Sequence, residues 1–162
     1  MGSAESSADE PSRPQRGRVG GIDYGTVRIG VAIGDLEVCM ASPYETYNRR
    51  DEQRDAEYFA GLAKEEALVR WVVGLPVHLS GEESQKSREA RAFGEWLEKL
   101  TGLPVEYYDE RFTSAYAESM LQSANLTRDQ RKARIDQLAA QIILTAYLES
   151  GAKGQTDPGA ID

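Results

Sequence analysis

Residues Leu68–Leu75, LVRWVVGL, are apolar at every position except Arg70 and Gly74. A strand with one face in water alternates apolar and polar side chains, so a run this continuous reads as a central strand covered on both faces. Pro76 marks its end. The flanking sequence supplies the cover. Over residues 50–67, Ala56, Phe59, Ala60, Ala63 and Ala67 recur at helical spacing along one face. Beyond Pro76, Ser80 and Glu83 have capping-box spacing and place a helix start there. Phe93, Trp96, Leu97 and Leu100 form that helix's buried stripe, and Gly102 followed by Pro104 stops it.

Upstream, residues 18–24 and 28–35 are short apolar stretches split by Gly25-Thr26-Val27, which predicts a tight hairpin of antiparallel strands, with a third strand over 38–47. Downstream, 105–111 reads as the fifth strand, 113–124 as a short helix and 125–132 as a polar loop. The last helix is expected over 133–149, with Ile135, Leu138, Ala139, Ile142 and Ala146 inward. The order β-β-β-α-β-α-β-α-α predicts an α/β fold in which a mixed five-stranded sheet is flanked by helices. Its first three strands form a meander, and the last two run parallel to the first through helical crossovers.

With 162 residues the chain suits one domain, expected over 18–150 between a polar arm (1–17) and a Gly-containing tail (151–162), both flexible. Its longest apolar run, residues 71–77, is far shorter than the roughly 18 residues needed to span a bilayer. No membrane partner is expected. One cysteine and one histidine allow neither a disulfide framework nor a Cys/His zinc site, and fit a reducing cytoplasm. Cys39 reads as a small buried hydrophobe and His78 as a loop residue. A bound metal would need oxygen ligands, which favours Mg2+ or Mn2+. The formal net charge of -8 argues against nucleic-acid binding through bulk positive charge, though not against a local basic patch.

In an open α/β sheet the loops at the carboxyl ends of parallel strands converge on one crevice. Three acidic segments fall there. Gly21-Ile22-Asp23-Tyr24-Gly25 ends the first strand, Tyr108-Asp109-Glu110-Arg111 ends the fifth, and Ile135-Asp136-Gln137-Leu138-Ala139-Ala140 opens the last helix. Each has a plain alternative. Asp23 could cap its own turn, Glu110 could form an exposed ion pair with Arg111, and Asp136 could complement a helix dipole. Gathered together, however, carboxylates repel one another unless a cation neutralises them. A divalent pair could also activate water at a phosphodiester without histidine.

At these residues the chain resembles the YqgF family of RuvC-like nucleases, which have the ribonuclease H-like fold. The resemblance rests on Gly21 to Gly25 with Arg28-Ile29-Gly30-Val31-Ala32, on Val73-Gly74-Leu75-Pro76 with Gly81, on Asp109-Glu110-Arg111-Phe112-Thr113, and on Asp136 to Ala140. It covers about residues 18–150. Phe112, where leucine is usual, and His78, where small polar residues are common, depart from the pattern without touching an expected ligand. The resemblance implies catalytic and metal-binding roles for Asp23, Glu110 and Asp136, with Asp109 as a further candidate ligand. It also implies a cytoplasmic nuclease that matures the 5′ end of precursor 16S rRNA. Two alternatives are a resolvase of four-way DNA and a non-catalytic nucleic-acid-binding assembly factor. Precursor rRNA is the favoured partner over four-way DNA. A resolvase would need a C2 dimer to cut symmetric strands, whereas trimming needs only a monomer. Asp23-Tyr24-Gly25-Thr26 also resembles the phosphate hairpin of the actin and sugar-kinase superfamily, but those proteins hold ATP between two such domains and this chain has room for one.

Arg128, Arg131, Lys132 and Arg134 form the densest positive stretch, directly before Asp136 and offset only by Asp129. They are the expected nucleic-acid contacts, the alternative being a solvated loop. Each phosphate contact adds about 0.9 to the slope of log affinity against log salt on duplex DNA. Arg131→Ala and Lys132→Ala should therefore each weaken binding across sequences and lower that slope by about one, as read by titrations at several salt concentrations.

Overall fold

The computed structural model describes residues 16–76, 84–110 and 128–152, and within the last segment the side chains from Gln137 onward. Five strands, β1 (Arg18–Asp23), β2 (Arg28–Asp35), β3 (Met40–Asn48), β4 (Leu68–Leu75) and β5 (Val105–Asp109), form one sheet in the order β3-β2-β1-β4-β5. β1, β2 and β3 pair antiparallel, and β4 and β5 run parallel to β1. This is the expected mixed sheet. Helices α1 (Glu52–Glu65) and α2 (Gln85–Thr101) cover one face and α3 (Arg128–Glu149) covers the other.

Alternation along the strands divides the core in two. On the α1/α2 face, Ile22, Ile29, Val31, Trp71, Val73 and Leu75 meet Phe59, Leu62, Phe93 and Leu97. On the α3 face, Val19, Ala32, Val72 and Tyr108 meet Ala140, Ile143, Leu144 and Tyr147. β4 is covered on both sides, as its apolar run requires.

Several expected details change. β3 starts at Met40 because Asp35 Oδ1 accepts hydrogen bonds from the N–H groups of Glu37 and Val38, closing a turn through Cys39 at φ 55°. Cys39 is consequently exposed, not buried. In α1 the buried residues are Asp55, Phe59 and Leu62 and not the alanine stripe, because larger side chains gain more by leaving water. Asp55 instead ties α1 to β3, accepting from Tyr47 Oη (2.7 Å) and the Arg50 N–H (2.8 Å). Burial alone would raise its carboxyl, but these bonds and one from Arg49 hold it below the ordinary carboxylate range. The α2 start at Ser80 and Glu83 lies outside the described residues. The described cap is Ser84, whose side chain accepts from the Ser87 N–H, and Gly102 (φ 74°) closes the helix as expected.

The 113–124 helix is likewise outside the described residues. α3 begins at Arg128, so 128–132 is helix and not loop. Its buried face keeps the expected Ile142 and Ala146 but is otherwise rotated: Ala140, Ile143, Leu144, Tyr147 and Leu148 are buried, while Leu138 and Ala139 are partly exposed. Tyr147 explains that rotation. Arg70, the one charge in the β4 run, is 1% exposed and donates from Nη1 to Tyr147 Oη (2.6 Å), which donates to Glu106 Oε1 (2.7 Å). Burial and the Glu106 bond push the phenol up to about 12, so it stays a neutral link at physiological pH. Tyr147→Phe should cost about 1–3 kcal/mol in urea denaturation, because it removes the shared partner of two buried charged groups.

Candidate active site

The helix that covers the second face runs antiparallel to β1. A Cβ on Gly21 would lie 3.0 Å from Leu144 Cβ and 3.3 Å from the Ala140 carbonyl, whereas Gly34, which pairs with Val19 at the start of β1, faces Leu144 and Leu148. Rising helix numbers thus lead toward the start of β1, and falling numbers lead toward its carboxyl end. Residue 136, one turn before Ala140, has its backbone toward the Asp23 end of the sheet. It stands in the third turn of α3, because the helix begins at Arg128 and not at 133. The side chains of Asp136, Arg128, Arg131, Lys132 and Arg134 lie outside the described residues.

Strand alternation puts Val19, Gly21 and Asp23 on the α3 face of β1. On the fifth strand it puts Glu106 and Tyr108 there, followed by Glu110, whose side chain meets Gly74 on that same face. Ile22 pairs with Val73, so Asp23 comes level with Gly74 one step further on. Gly74 is the decisive neighbour. A Cβ there would fall 2.6 Å from Glu110 Oε2 and 2.5 Å from Ile143 Cδ1. The bare backbone of β4 therefore lets Glu110 lean off the end of β5 toward β1, to about one strand spacing, roughly 5 Å, from the Asp23 column.

Asp109 differs. It is fully buried at the last position of β5, but alternation places it with Tyr107 on the α1/α2 face, opposite to Asp23 and Glu110. Among the described residues no three acidic, histidine or cysteine side chains converge as a metal-binding group, and the expected third member, Asp136, is not among the described side chains.

Burial raises the Glu110 carboxyl above its ordinary range, Lys86 pulls it back down and Asp109 adds to the rise. Beside Asp23 lies a cleft of about 520 Å³, lined by the 24–28 turn and by Gln85, Lys86 and Glu89 of α2. A larger cleft of about 1090 Å³ lies along β3 and the start of α1, away from both carboxylates.

Residues 17–150 match the RuvX family, described as Holliday junction resolvase. The chain belongs to that family. It is 47% identical over 141 residues, 87% of this chain and 82% of the relative, to a Rhodopirellula baltica protein named, provisionally, a pre-16S rRNA nuclease. A Koribacter versatilis protein of the same provisional name is 36% identical, over 92% of this chain and 97% of its own. Among solved structures, Thermus thermophilus RuvC bound to a Holliday junction aligns with a TM-score of 0.55 at 17% identity, over 85% of this chain and 98% of that one. The fowlpox virus resolvase bound to junction DNA gives 0.54 at 11%, over 84% and 99%. These two similarities establish the RuvC-like, ribonuclease H-like fold.

In this RuvX chain the sequence located both acidic strand ends but gave Gly74 and Lys86 no role. A glycine inside a bulky strand signals a close approach, and that signal was readable. Lys86 gave none, since its nearness to Glu110 depends on the fold. The raised Glu110 carboxyl fixes a pH dependence. A folded-state value above the unfolded one contributes stability that is fully present below the ordinary pH of about 4.5 and is lost as pH rises through the folded value. Metal-free Glu110→Gln protein should therefore melt higher than the parent at pH 7, with the gap closing toward pH 4 in thermal scans.

Proposed function

We propose that this protein is a divalent-metal-dependent nuclease of precursor 16S rRNA, with Asp23, Glu110 and Asp136 as its catalytic carboxylates. One observation carries the reading most strongly: Glu110 is laid across Gly74, on the same face and at the same end of the sheet as Asp23. Burial of its carboxyl there works against its charged form. A fold that keeps such a carboxylate half-buried near a second one fits a site that expects a cation. The names of the relatives that span nearly the whole chain support the choice of RNA substrate.

The donor set is all carboxylate oxygen, which suits Mg2+ or Mn2+. Bound there, such a cation would supply water activation and charge stabilisation at the leaving oxygen of a phosphodiester. The chain's own residues hold and orient. Asp23 is fixed by its place at the end of β1, between two strands. Glu110 is fixed by Gly74 beneath it, and α3 carries residue 136 to the same end. Asp109, on the other face, is left out of the ligand set. The basic residues Arg128, Arg131, Lys132 and Arg134 precede Asp136 on the first two turns of α3, toward the same end, where they would meet the flanking phosphates. Among the described residues no helix is long and apolar enough to cross a membrane.

The family description favours a second reading, cleavage of four-way DNA junctions. Purified protein should be offered a precursor rRNA fragment and a four-way DNA junction in parallel, each with Mg2+ and with excess EDTA. The expected result is cleavage of the RNA near the mature 5′ end with Mg2+ only, and its loss in folded Asp23→Asn protein. Cleavage confined to the junction would favour the resolvase, and cleavage in EDTA would exclude the carboxylate-metal chemistry. Millimolar Mg2+ should also raise the melting temperature of the parent, because a ligand that binds only the folded state stabilises it.

A further inference from the structure

Helix α2 begins with Gln85, Lys86 and Ser87, and its first turn holds no acidic residue. The positive end of a helix dipole favours Asp or Glu, and a lysine there opposes it. α1 follows the favourable pattern, with Glu52 and Asp55 in its first turn. Lys86 is therefore not explained by the stability of its own helix. It is exposed at its position, so it is not explained by packing either.

Its surroundings suggest what it does. Lys86 lines the cleft of about 520 Å³ that Asp23 also lines, and its charge acts on Glu110 as well. It thus shares a cleft with one carboxylate of the proposed site and acts electrostatically on the other. Arg28, the other cation of the cleft wall, already takes part in an interaction within the protein. The cleft is also lined by the 24–28 turn, where Thr26 and Val27 are exposed, so it is open to a long ligand.

We propose that Lys86 is a substrate-positioning residue, holding a phosphate oxygen of the strand to be cut as that strand enters the cleft beside Asp23. The proposal rests on the nuclease reading and deepens it. A lysine suits the task. Its ammonium carries three donors on a four-carbon stem, so it can turn to a phosphate without rearranging the helix. In a chain of net charge -8, a polyanion reaches an acidic site only where cations are placed locally.

This arrangement predicts effects of opposite sign on two ligands. A cation in the wall of the cleft that Asp23 lines, acting also on Glu110, repels a divalent ion but attracts a phosphate. Lys86→Ala should therefore bind Mn2+ as tightly as the parent or up to several-fold more tightly. The same variant should bind RNA about tenfold more weakly, with a salt slope lower by about 0.7 to 0.9, the value of one phosphate contact. Lys86→Arg should restore most of the RNA affinity. The probes are Mn2+ alone, by calorimetry, and a fluorescent RNA hairpin with a 5′ single-stranded extension, by anisotropy with Ca2+ at several salt concentrations. RNA affinity and slope equal to the parent would overturn the proposal. Weakening of Mn2+ and RNA together would overturn it too, since that indicates a structural role. A parent protein that binds neither this RNA nor a four-way DNA junction would remove the nuclease reading itself and the proposal with it.

Discussion

Helix α3 can lie close against the sheet because the strands beneath it present little side chain. Gly21 and Gly74 leave the backbones of β1 and β4 bare where Leu144 and Ile143 come down, and Ala140 keeps the helix thin above Gly21. Much of the remaining structure depends on that approach. It buries the second half of the core, sets the antiparallel run of α3 over β1, and carries residue 136 toward the strand ends where Asp23 stands. The Arg70–Tyr147–Glu106 link then fixes the rotation of the helix, since Tyr147 has to reach both charged partners.

The same bare positions shape the chemistry. Gly74 serves two neighbours at once, Ile143 from the helix and Glu110 from the end of β5. Packing and site are coupled through one missing side chain. The cost is visible in the raised Glu110 carboxyl, a charge kept out of water beside another acid. Proteins commonly place such unfavourable charges where function needs them and recover the stability elsewhere, here in two well-filled cores.

The antiparallel meander, the parallel direction of β4 and β5 and the two-sided burial of β4 were legible in the sequence, because turn signals, helical crossovers and continuous apolar runs are strong signals. Asp23 and Glu110 were legible as acids at strand ends. The stripes of α1 and α3 are legible in part: Phe59, Ile142 and Ala146 are buried as expected. Ala56, Ala60 and Ala139 fit the helical period too, but Leu62, Leu144 and Tyr147 bury far more area and take the core positions. The start of α3 was misplaced because a run of charged residues reads as loop, although Arg, Lys and Gln are good helix formers. Strand alternation sends Asp109 and Glu110 to opposite faces, but sequence does not say which of them joins Asp23. Only the packing of α3 and Gly74 shows that it is the face of Glu110.

The central claim is that the absence of a side chain at Gly74 places Glu110 for metal binding with Asp23. Gly74→Ala in an Ile143→Val background tests it most directly, because losing Ile143 Cδ1 relieves the 2.5 Å contact and leaves the Glu110 carboxylate as the main group displaced. The measurement is Mn2+ affinity by calorimetry on protein shown to be folded, with Ile143→Val alone as the reference. The account predicts that the added methyl weakens Mn2+ binding by about tenfold or more while Ile143→Val keeps the parental affinity. Parental affinity in the folded double variant would contradict it.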